Sequence, residues 1–110
     1  LSRLADDRVR ESQNLVDLGV AASQRRDWPA AERYMTAGLQ LARNLGLRLH
    51  EGRTMRRLAD LCVATGDLPR ARDYARGALA VLADSEDEWA KARTRETLAA
   101  VEAALAAKPS

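Results

Sequence analysis

Apolar residues recur along the chain at intervals of three and four. In the stretch GDLPRARDYARGALAVL, residues 66–82, this spacing joins Ala71, Tyr74, Ala78 and Leu82. Side chains so spaced share one face of an α-helix, and nowhere do β-branched residues alternate with polar ones as in a half-buried strand. The pattern therefore predicts an all-α chain in which each helix has a buried face.

Five helices are predicted in this way, over residues 3–25, 28–45, 49–65, 68–83 and 86–106. Asp27 and Asp67 are expected to cap the second and fourth helices, because an aspartate before a helix accepts hydrogen bonds from first-turn amides. Pro29 and Pro69 then lie in the first turn, where a missing N–H costs little. The acidic stretch DSEDE, residues 84–88, is expected to cap the last helix rather than to bind a metal ion or a partner.

The chain also repeats itself with a period of 40 residues. Residues 26–42, RDWPAAERYMTAGLQLA, match residues 66–82 at an aspartate, a proline, an alanine, a tyrosine and a leucine. The first helices match as well, since Leu18 aligns with Leu58, and a third copy begins near Lys91. A single domain over residues 1–110 is therefore predicted, with repeat one at about 9–46, repeat two at about 49–84 and a capping helix at about 86–107.

Small residues are predicted to bring the two helices of each repeat close together. On the inward faces these are Gly19, Ala31, Gly38, Ala59, Ala71 and Ala78. Larger residues are expected to fill the seam beside them, namely Leu15, Leu18, Leu39, Met55, Leu58 and Leu79. One helix pair cannot bury its apolar surface alone, so the pairs are expected to stack and the last helix to cover the final edge.

This pattern resembles the tetratricopeptide repeat, with a Leu–Gly pair in the first helix, a Gly–Asp-type turn and spaced small residues in the second. The repeats meet it at Leu18, Gly19, Asp27, Ala31, Met35 and Gly38, and at Leu58, Ala59, Gly66, Asp67, Ala71 and Ala78. The period exceeds the usual 34, and Ala22, Cys62 and Ala75 replace larger residues of the family. These departures resemble the longer-helix versions found in bacterial regulators and kinesin light chains.

The resemblance implies antiparallel helix pairs stacked as a right-handed α-solenoid. It also implies that the first helix of each repeat lines a concave groove that binds a peptide or a partner protein. A larger bacterial regulator is the context that it suggests, and the start at Leu1 without a Met fits a segment of a longer protein. Val16 and Val20 stand where the chaperone-binding clamp of the family needs polar groups, so that particular partner is disfavoured.

The expected groove residues are those of the first helices that project away from the seam. They are Gln13, Val16, Asp17, Val20, Gln24, Arg53, Arg56, Arg57, Asp60, Arg93 and Glu96. Arg53, Arg56 and Arg93 are expected to receive carboxylates of an acidic segment or a peptide C-terminus, because guanidinium groups bind carboxylates through paired, charge-assisted hydrogen bonds. The alternative is internal pairing, as between Arg56 and Asp60 at i, i+4 spacing.

Composition and charge narrow the class of partner. The formal net charge of +2 is too small to imply a polyanion, and charged residues interrupt every apolar stretch before the length of a membrane span. The single cysteine, Cys62, excludes an internal disulfide and fits a reducing compartment. We therefore expect a cytoplasmic protein with no membrane association.

Few residues suggest chemistry. Cys62 falls on the packing face and is expected to act as a small hydrophobe, and His50 has no catalytic partner at a suitable spacing. No enzymatic activity, cofactor or metal ion is therefore expected. Trp28 and Trp89 are expected to cover the ends of the seam, with a partner-anchoring role for an exposed tryptophan as the alternative.

Three functions remain open at this point. The first is a protein-interaction module that binds an extended or helical segment of a partner in the groove. The second is a structural module that self-associates through the open ends of the solenoid into a homodimer. The third and weakest is nucleic-acid binding through the arginine-rich third helix, because no aromatic residue lies among those arginines to stack on bases.

Overall fold

The computed structural model describes residues 3–107 and contains five α-helices. They are α1 (Arg3–Gln24), α2 (Trp28–Asn44), α3 (Arg48–Thr65), α4 (Leu68–Leu82) and α5 (Glu88–Ala107). The prediction of an all-α chain is confirmed, and no strand occurs within these residues. The outermost positions of the predicted domain, 1–2 and 108–110, lie outside the described part of the chain.

The helices pack as two pairs followed by a single helix. We call α1 with α2 unit one and α3 with α4 unit two; α5 packs on α4 and touches α3. Contacts between α2 and α3 join the units, reinforced by the ion pair of Arg43 Nε with Glu51 Oε2 at 3.1 Å. The result is an elongated helical-repeat solenoid of 53 × 32 × 19 Å.

An aspartate starts three of the helices. Asp27 Oδ1 accepts a hydrogen bond from the backbone amide three residues further on at 3.2 Å, and Asp67 Oδ1 does the same at 3.3 Å. Asp87 Oδ1 caps α5 in the same way at 2.9 Å. The cap that the acidic stretch supplies is thus Asp87, which is why α5 begins at Glu88 instead of at residue 86.

The turn before each second helix requires a left-handed backbone. In unit two this residue is Gly66, with a φ of 84°, and in unit one the aligned residue is Arg26, with a φ of 61°. Glycine adopts this conformation freely, whereas the Cβ of any other residue crowds the following carbonyl oxygen. The turn of unit one is therefore strained where the turn of unit two is relaxed.

Small residues set the distance between the helices of each unit. A Cβ built on Gly19 would lie 2.5 Å from Met35 Cγ and 3.2 Å from the carbonyl oxygen of Ala31, so a methyl group does not fit there. The aligned residues of unit two are Ala59 and Ala75, both fully buried. A glycine and a methionine thus stand where the other unit has two alanines, which conserves the volume of the seam.

The opposite exchange occurs two turns earlier on the first helix and two turns later on the second helix of each unit. A Cβ built on Gly52 would lie 2.6 Å from Leu82 Cδ2, and the aligned residues of unit one are Ser12 and Ala42. Ser12 Oγ donates a hydrogen bond of 3.0 Å to the carbonyl oxygen of Gly38, which satisfies a buried hydroxyl. The two units therefore pack differently at aligned positions. Where a unit has a larger residue on one helix, it has a smaller residue opposite it on the other helix.

The small residues predicted to face the seam are all buried. Of the larger residues, Leu15 and Leu79 are only half-buried, and Leu18 is 49% exposed. The prediction that Leu18 fills the seam is wrong. Its aligned residue Leu58 is fully buried because unit one covers it, whereas no helix within residues 3–107 covers Leu18.

Candidate functional site

The first helices of the two units and α5 share one face of the molecule, since α3 contacts both α1 and α5. We call it the α1/α3/α5 face. A pocket of about 220 Å³, which we call the arginine pocket, opens on it, lined by Ser12, Gln13, Val16, His50, Arg53, Thr54, Arg56, Arg57 and Trp89. None of these lining residues is acidic, but two of the lining arginines pair with carboxylates beside the pocket, Arg53 with Asp87 and Arg56 with Asp60.

Arg56 lies at the base of this pocket and is only 6% exposed. Its Nη1 donates a hydrogen bond of 3.1 Å to Asp60 Oδ2, and its guanidinium carbon lies 5.4 Å from the ring centroid of Trp89. Its Nε is buried and has no hydrogen-bond partner among residues 3–107. A buried donor left unsatisfied is costly, and Arg72 Nε is in the same state among the described residues.

The other arginines of the face differ in how far they are already paired. Arg53 forms an ion pair with Asp87, in which its Nε donates to Oδ2 at 3.2 Å. Arg93 pairs with Glu96 at 3.3 Å, but both side chains are exposed. Arg57 forms no ion pair with any other described residue, which makes it the arginine most available to a partner.

Burial and the neighbouring charges shift the pKa of Arg56. Burial lowers the pKa of Arg56, and the neighbouring carboxylate of Asp60 opposes this effect. Arg57, Arg93 and Arg53 lower the pKa further, because like charges disfavour the charged form. A negative group placed in the pocket would relieve this repulsion.

A second pocket lies beside the first, between the later turns of α3 and α5. We call it the aliphatic pocket; its volume is about 370 Å³, and it is lined by Asp60, Val63, Leu68, Arg93, Glu96, Thr97, Ala100, Val101 and Ala104. Thr97 Oγ1 donates a hydrogen bond of 3.1 Å to Asp60 Oδ1 and so ties α5 to α3 at one end. The remaining wall is largely apolar, and Val63 is 44% exposed.

The comparison with protein families gives a decisive match. The tetratricopeptide repeat model matches residues 8–84, which include most of α1 and all of α2, α3 and α4. The chain belongs to the tetratricopeptide repeat family. Repeats of this family are generally protein–protein interaction modules and are typically non-enzymatic scaffolds. No curated protein sequence matches the chain.

This tetratricopeptide repeat chain brings most of the predicted groove residues together. The arginine pocket contains Gln13, Val16, Arg53, Arg56 and Arg57, and the aliphatic pocket contains Asp60, Arg93 and Glu96. Val20 lines a small depression of about 110 Å³ between α1 and α3, together with Arg57 and Asp60. Asp17 and Gln24 are exposed and line none of these cavities.

The prediction that Val16 projects away from the seam is wrong. Its side chain is buried, and its Cγ2 would lie 2.8 Å from a Cβ built on Gly38. Val16 therefore packs into the seam of unit one and presents only an edge to the arginine pocket. For Arg56 the internal pairing with Asp60 is confirmed, and its buried Nε has no hydrogen-bond partner among residues 3–107.

Sequence reasoning placed Trp89 incorrectly. It does not cover an end of the seam: it is 66% exposed and forms one wall of the arginine pocket beside Arg56. Trp28, in contrast, packs against the core as predicted. Trp89 has no aligned aromatic residue in the earlier repeats, because Leu49 occupies the position 40 residues before it, so the repeat pattern alone carried no signal for its role.

The residues that suggested chemistry are placed as follows. Cys62 is buried beside Ala71 and Val101, and burial raises the pKa of its thiol, which disfavours the reactive thiolate. His50 lines the arginine pocket, and its carbonyl oxygen accepts a hydrogen bond of 2.7 Å from Thr54 Oγ1. The described residues contain no His, Cys, Asp and Glu cluster suited to a metal ion, and none of their helices has the length and hydrophobicity of a membrane span.

Proposed function

We propose that the protein is an interaction module that binds an acidic segment of a partner protein on the α1/α3/α5 face. The observation that carries this proposal is the buried, unpaired Nε of Arg56 at the base of a pocket without acidic lining residues. A carboxylate oxygen that enters the pocket would supply the missing acceptor once the Arg56 side chain turns to expose its Nε. The resulting bond is charge-assisted and formed away from water, where it is stronger than on an open surface.

Arg57 supports the same proposal from the rim of the pocket. It is half-buried, and its guanidinium forms no ion pair with any described carboxylate. A second oxygen of the partner's carboxylate can bind there while the first binds Arg56. Two arginines on successive positions of α3 thus favour a carboxylate over a neutral acceptor.

The test is a comparison of two charge reversals. Peptides selected from a random display library on the wild-type chain would be measured by fluorescence anisotropy against Arg57→Glu and against Arg33→Glu, an exposed arginine of α2 outside both pockets. We expect acidic peptides among the selected sequences and at least about a tenfold loss of affinity in Arg57→Glu alone. Equal affinities of the two folded variants for the selected peptides would exclude the α1/α3/α5 face as the binding surface.

A second candidate function is self-association, favoured by the exposure of Leu4 and Leu18 on α1. Both residues lie on the side of α1 that faces away from α3. The corresponding side of α3, which contains Leu58, is covered by unit one. Two copies of the chain could cover these leucines against each other. Sedimentation velocity over a range of concentrations tests this, since Leu18→Gln would abolish a dimer that depends on the α1 surface and would leave a monomer unchanged.

Two further proposals carry less support. A role in a larger bacterial regulator rests on the resemblance of the 40-residue period to the repeats of such proteins. Nucleic-acid binding through α3 has less support than peptide binding, because the formal net charge of the chain is only +2 and α3 itself contains no Phe, Tyr or Trp to stack on bases. If it occurs, its affinity must fall steeply with salt concentration, which a titration with duplex DNA or RNA would measure.

A further inference from the structure

We infer that the chain carries its own competitor for the proposed partner: the carboxylate of Asp87 occupies Arg53 in the place that an acidic segment would otherwise take. The inference rests on the proposed function and adds to it an autoinhibitory contact, which lowers the affinity of the free chain for acidic segments. Asp87 lies in the connection between α4 and α5, beyond residue 84, where the match to the repeat family ends.

Asp87 binds one edge of the Arg53 guanidinium. Its Oδ2 accepts a hydrogen bond of 3.2 Å from Arg53 Nε and a second hydrogen bond from Arg53 Nη2. Guanidinium groups recognise carboxylates through such neighbouring donors. The edge of Arg53 that a partner's carboxylate would use is therefore already occupied by a carboxylate of the chain itself.

The start of α5 holds Asp87 in position. Its Oδ1 accepts a hydrogen bond of 2.9 Å from the amide of Ala90, and its own amide donates a hydrogen bond of 3.0 Å to Ser85 Oγ. The amide of Ala90 and the side chain of Arg53 hold the pKa of Asp87 below its usual value, so the carboxylate is ionised at neutral pH. Because this carboxylate is attached to the same chain, it competes at a high effective concentration.

Arg53 can leave Asp87 without a change of the fold. The Arg53 side chain is 46% exposed, so its guanidinium can rotate towards solvent. The cap of α5 uses the other oxygen of Asp87 and does not depend on Arg53. Arg56, in contrast, is buried and pairs with Asp60 of its own helix. The ion pair that a partner can exchange is therefore that of Arg53.

Arg53 also lies where an acidic segment would reach it. It precedes Arg57 by one turn of α3, and both side chains line the arginine pocket. Residues four apart on a helix are neighbours, with Cβ atoms about 5–6 Å apart. A segment bound to Arg57 thus brings its next carboxylate to Arg53, where it must displace Asp87. The apparent affinity is reduced by the fraction of chains in which Arg53 is free.

The experiment measures the binding of one defined acidic peptide with and without the internal carboxylate. The probe is a fluorescent dodecapeptide of alternating glycine and glutamate, titrated by fluorescence anisotropy at neutral pH and low salt. We expect Asp87→Asn to raise the affinity about two- to fivefold, the range that the loss of one partly exposed ion pair gives. Asparagine keeps a side-chain oxygen that can cap α5, so the variant should fold.

Asp67→Asn is the matched control. Asp67 caps α4 as Asp87 caps α5, but it lines neither the arginine pocket nor the aliphatic pocket. Both substitutions remove one negative charge from a helix cap, so only the contact with Arg53 distinguishes them. The affinity of Asp67→Asn should equal that of the wild type. In the background of Arg53→Gln, which has no cation to release, Asp87→Asn should bring no gain.

The Nε–Hε resonance of Arg53 reports the exchange directly. In the free chain this group donates to Asp87, so Asp87→Asn should shift its resonance in a ¹⁵N-labelled sample. Saturating peptide should shift the same resonance in the wild type. If the peptide binds and leaves this resonance unmoved, Arg53 stays with Asp87 and the competition is wrong.

The outcomes separate the inference from the function on which it rests. If Arg57→Glu weakens peptide binding but Asp87→Asn binds like the wild type, the inference is wrong and the proposed function stands. A gain that Asp67→Asn shares, or that persists without Arg53, would also overturn the inference, because net charge would explain it. If Arg57→Glu binds the peptide as well as the wild type, or if neither the wild type nor Asp87→Asn binds it, both are excluded.

Discussion

Units one and two have the same register but different surroundings, and the difference explains where they diverge. Helix α3 of unit two is covered on one side by unit one and on the other by α5, whereas within residues 3–107 only unit two packs beside unit one, on one side of α1. Aligned residues therefore have different burial: Leu58 is fully buried and Leu18 is 49% exposed. In a repeat protein, the role of a residue depends on its position in the stack as much as on its position in the repeat.

The aligned residues Val16 and Arg56 show the same principle at the candidate site. Val16 closes the seam of unit one against Gly38, and Arg56, 40 residues later, is the buried cation of the arginine pocket. The same position of the repeat therefore packs inside unit one and lines the arginine pocket in unit two.

The largest expected effect comes from the aligned leucines. Leu58→Ala should lower the free energy of unfolding by about 3 kcal/mol, because it removes a fully buried side chain and leaves a cavity. Leu18→Ala should lower it by less than about 1 kcal/mol, because half of that side chain already contacts solvent. Urea denaturation followed by circular dichroism measures both.

The milder Leu58→Val keeps this comparison measurable if Leu58→Ala does not fold. Equal losses of stability at the two positions would mean that Leu18 is buried as completely as Leu58, for example at a dimer interface. Repeating the measurement at several protein concentrations distinguishes that case, since the stability of a dimer rises with concentration.

The second-largest expected effect on stability comes from the packing of α1 against α2. Gly19→Ala should destabilise the chain by about 1–2 kcal/mol, because the added methyl group meets Met35 Cγ and backbone atoms of α2. Combining it with Met35→Ala reproduces the Ala–Ala pair of unit two. The double variant should therefore be about 1 kcal/mol more stable than the sum of the two single effects predicts.

A double-mutant cycle by urea denaturation gives this coupling energy directly. Additive effects would show that Gly19 and Met35 do not share one packing site. Ala59→Gly serves as the matched control in unit two: it has no large residue opposite to release and should cost only about 1 kcal/mol through the greater backbone freedom of glycine.

The sequence was sufficient to predict the helices, their aspartate caps and the small residues of the seam, because each depends on local spacing. Asp27 and Asp67 could be recognised as caps from their position alone. The exposure of Leu18 and the position of Trp89 could not be predicted, because both depend on which helix lies beside them in the stack. The unpaired Nε of Arg56 is a property of three-dimensional packing, and no spacing in the sequence reveals it.

Substitutions in the turns before α2 and α4 are expected to change the stability less, and in opposite directions in the two units. Arg26→Gly should stabilise the chain by about 0.5–1 kcal/mol, because it relieves a left-handed backbone that only glycine adopts without strain. Gly66→Ala should destabilise it by about 1 kcal/mol for the same reason. Thermal unfolding of both variants checks the signs. A loss of stability in Arg26→Gly would mean that the arginine side chain contributes more than its backbone strain costs.

The smallest expected effect on stability concerns Asp87, which caps α5 and pairs with Arg53 of α3. The hydrogen bond from the amide of Ala90 and that from Arg53 hold the pKa of Asp87 below its usual value. A carboxylate whose pKa is lower in the folded state stabilises the fold above the unfolded pKa, and this contribution is lost as the pH falls through the folded pKa. Asp87→Asn keeps an oxygen that can cap α5 but has no charge to titrate. The melting temperature of the wild type should therefore fall more steeply below about pH 4 than that of Asp87→Asn.

Arg53→Gln should remove part of the same pH dependence of the melting temperature. Parallel curves for all three proteins would show that the pairing of Asp87 with Arg53 does not contribute to stability.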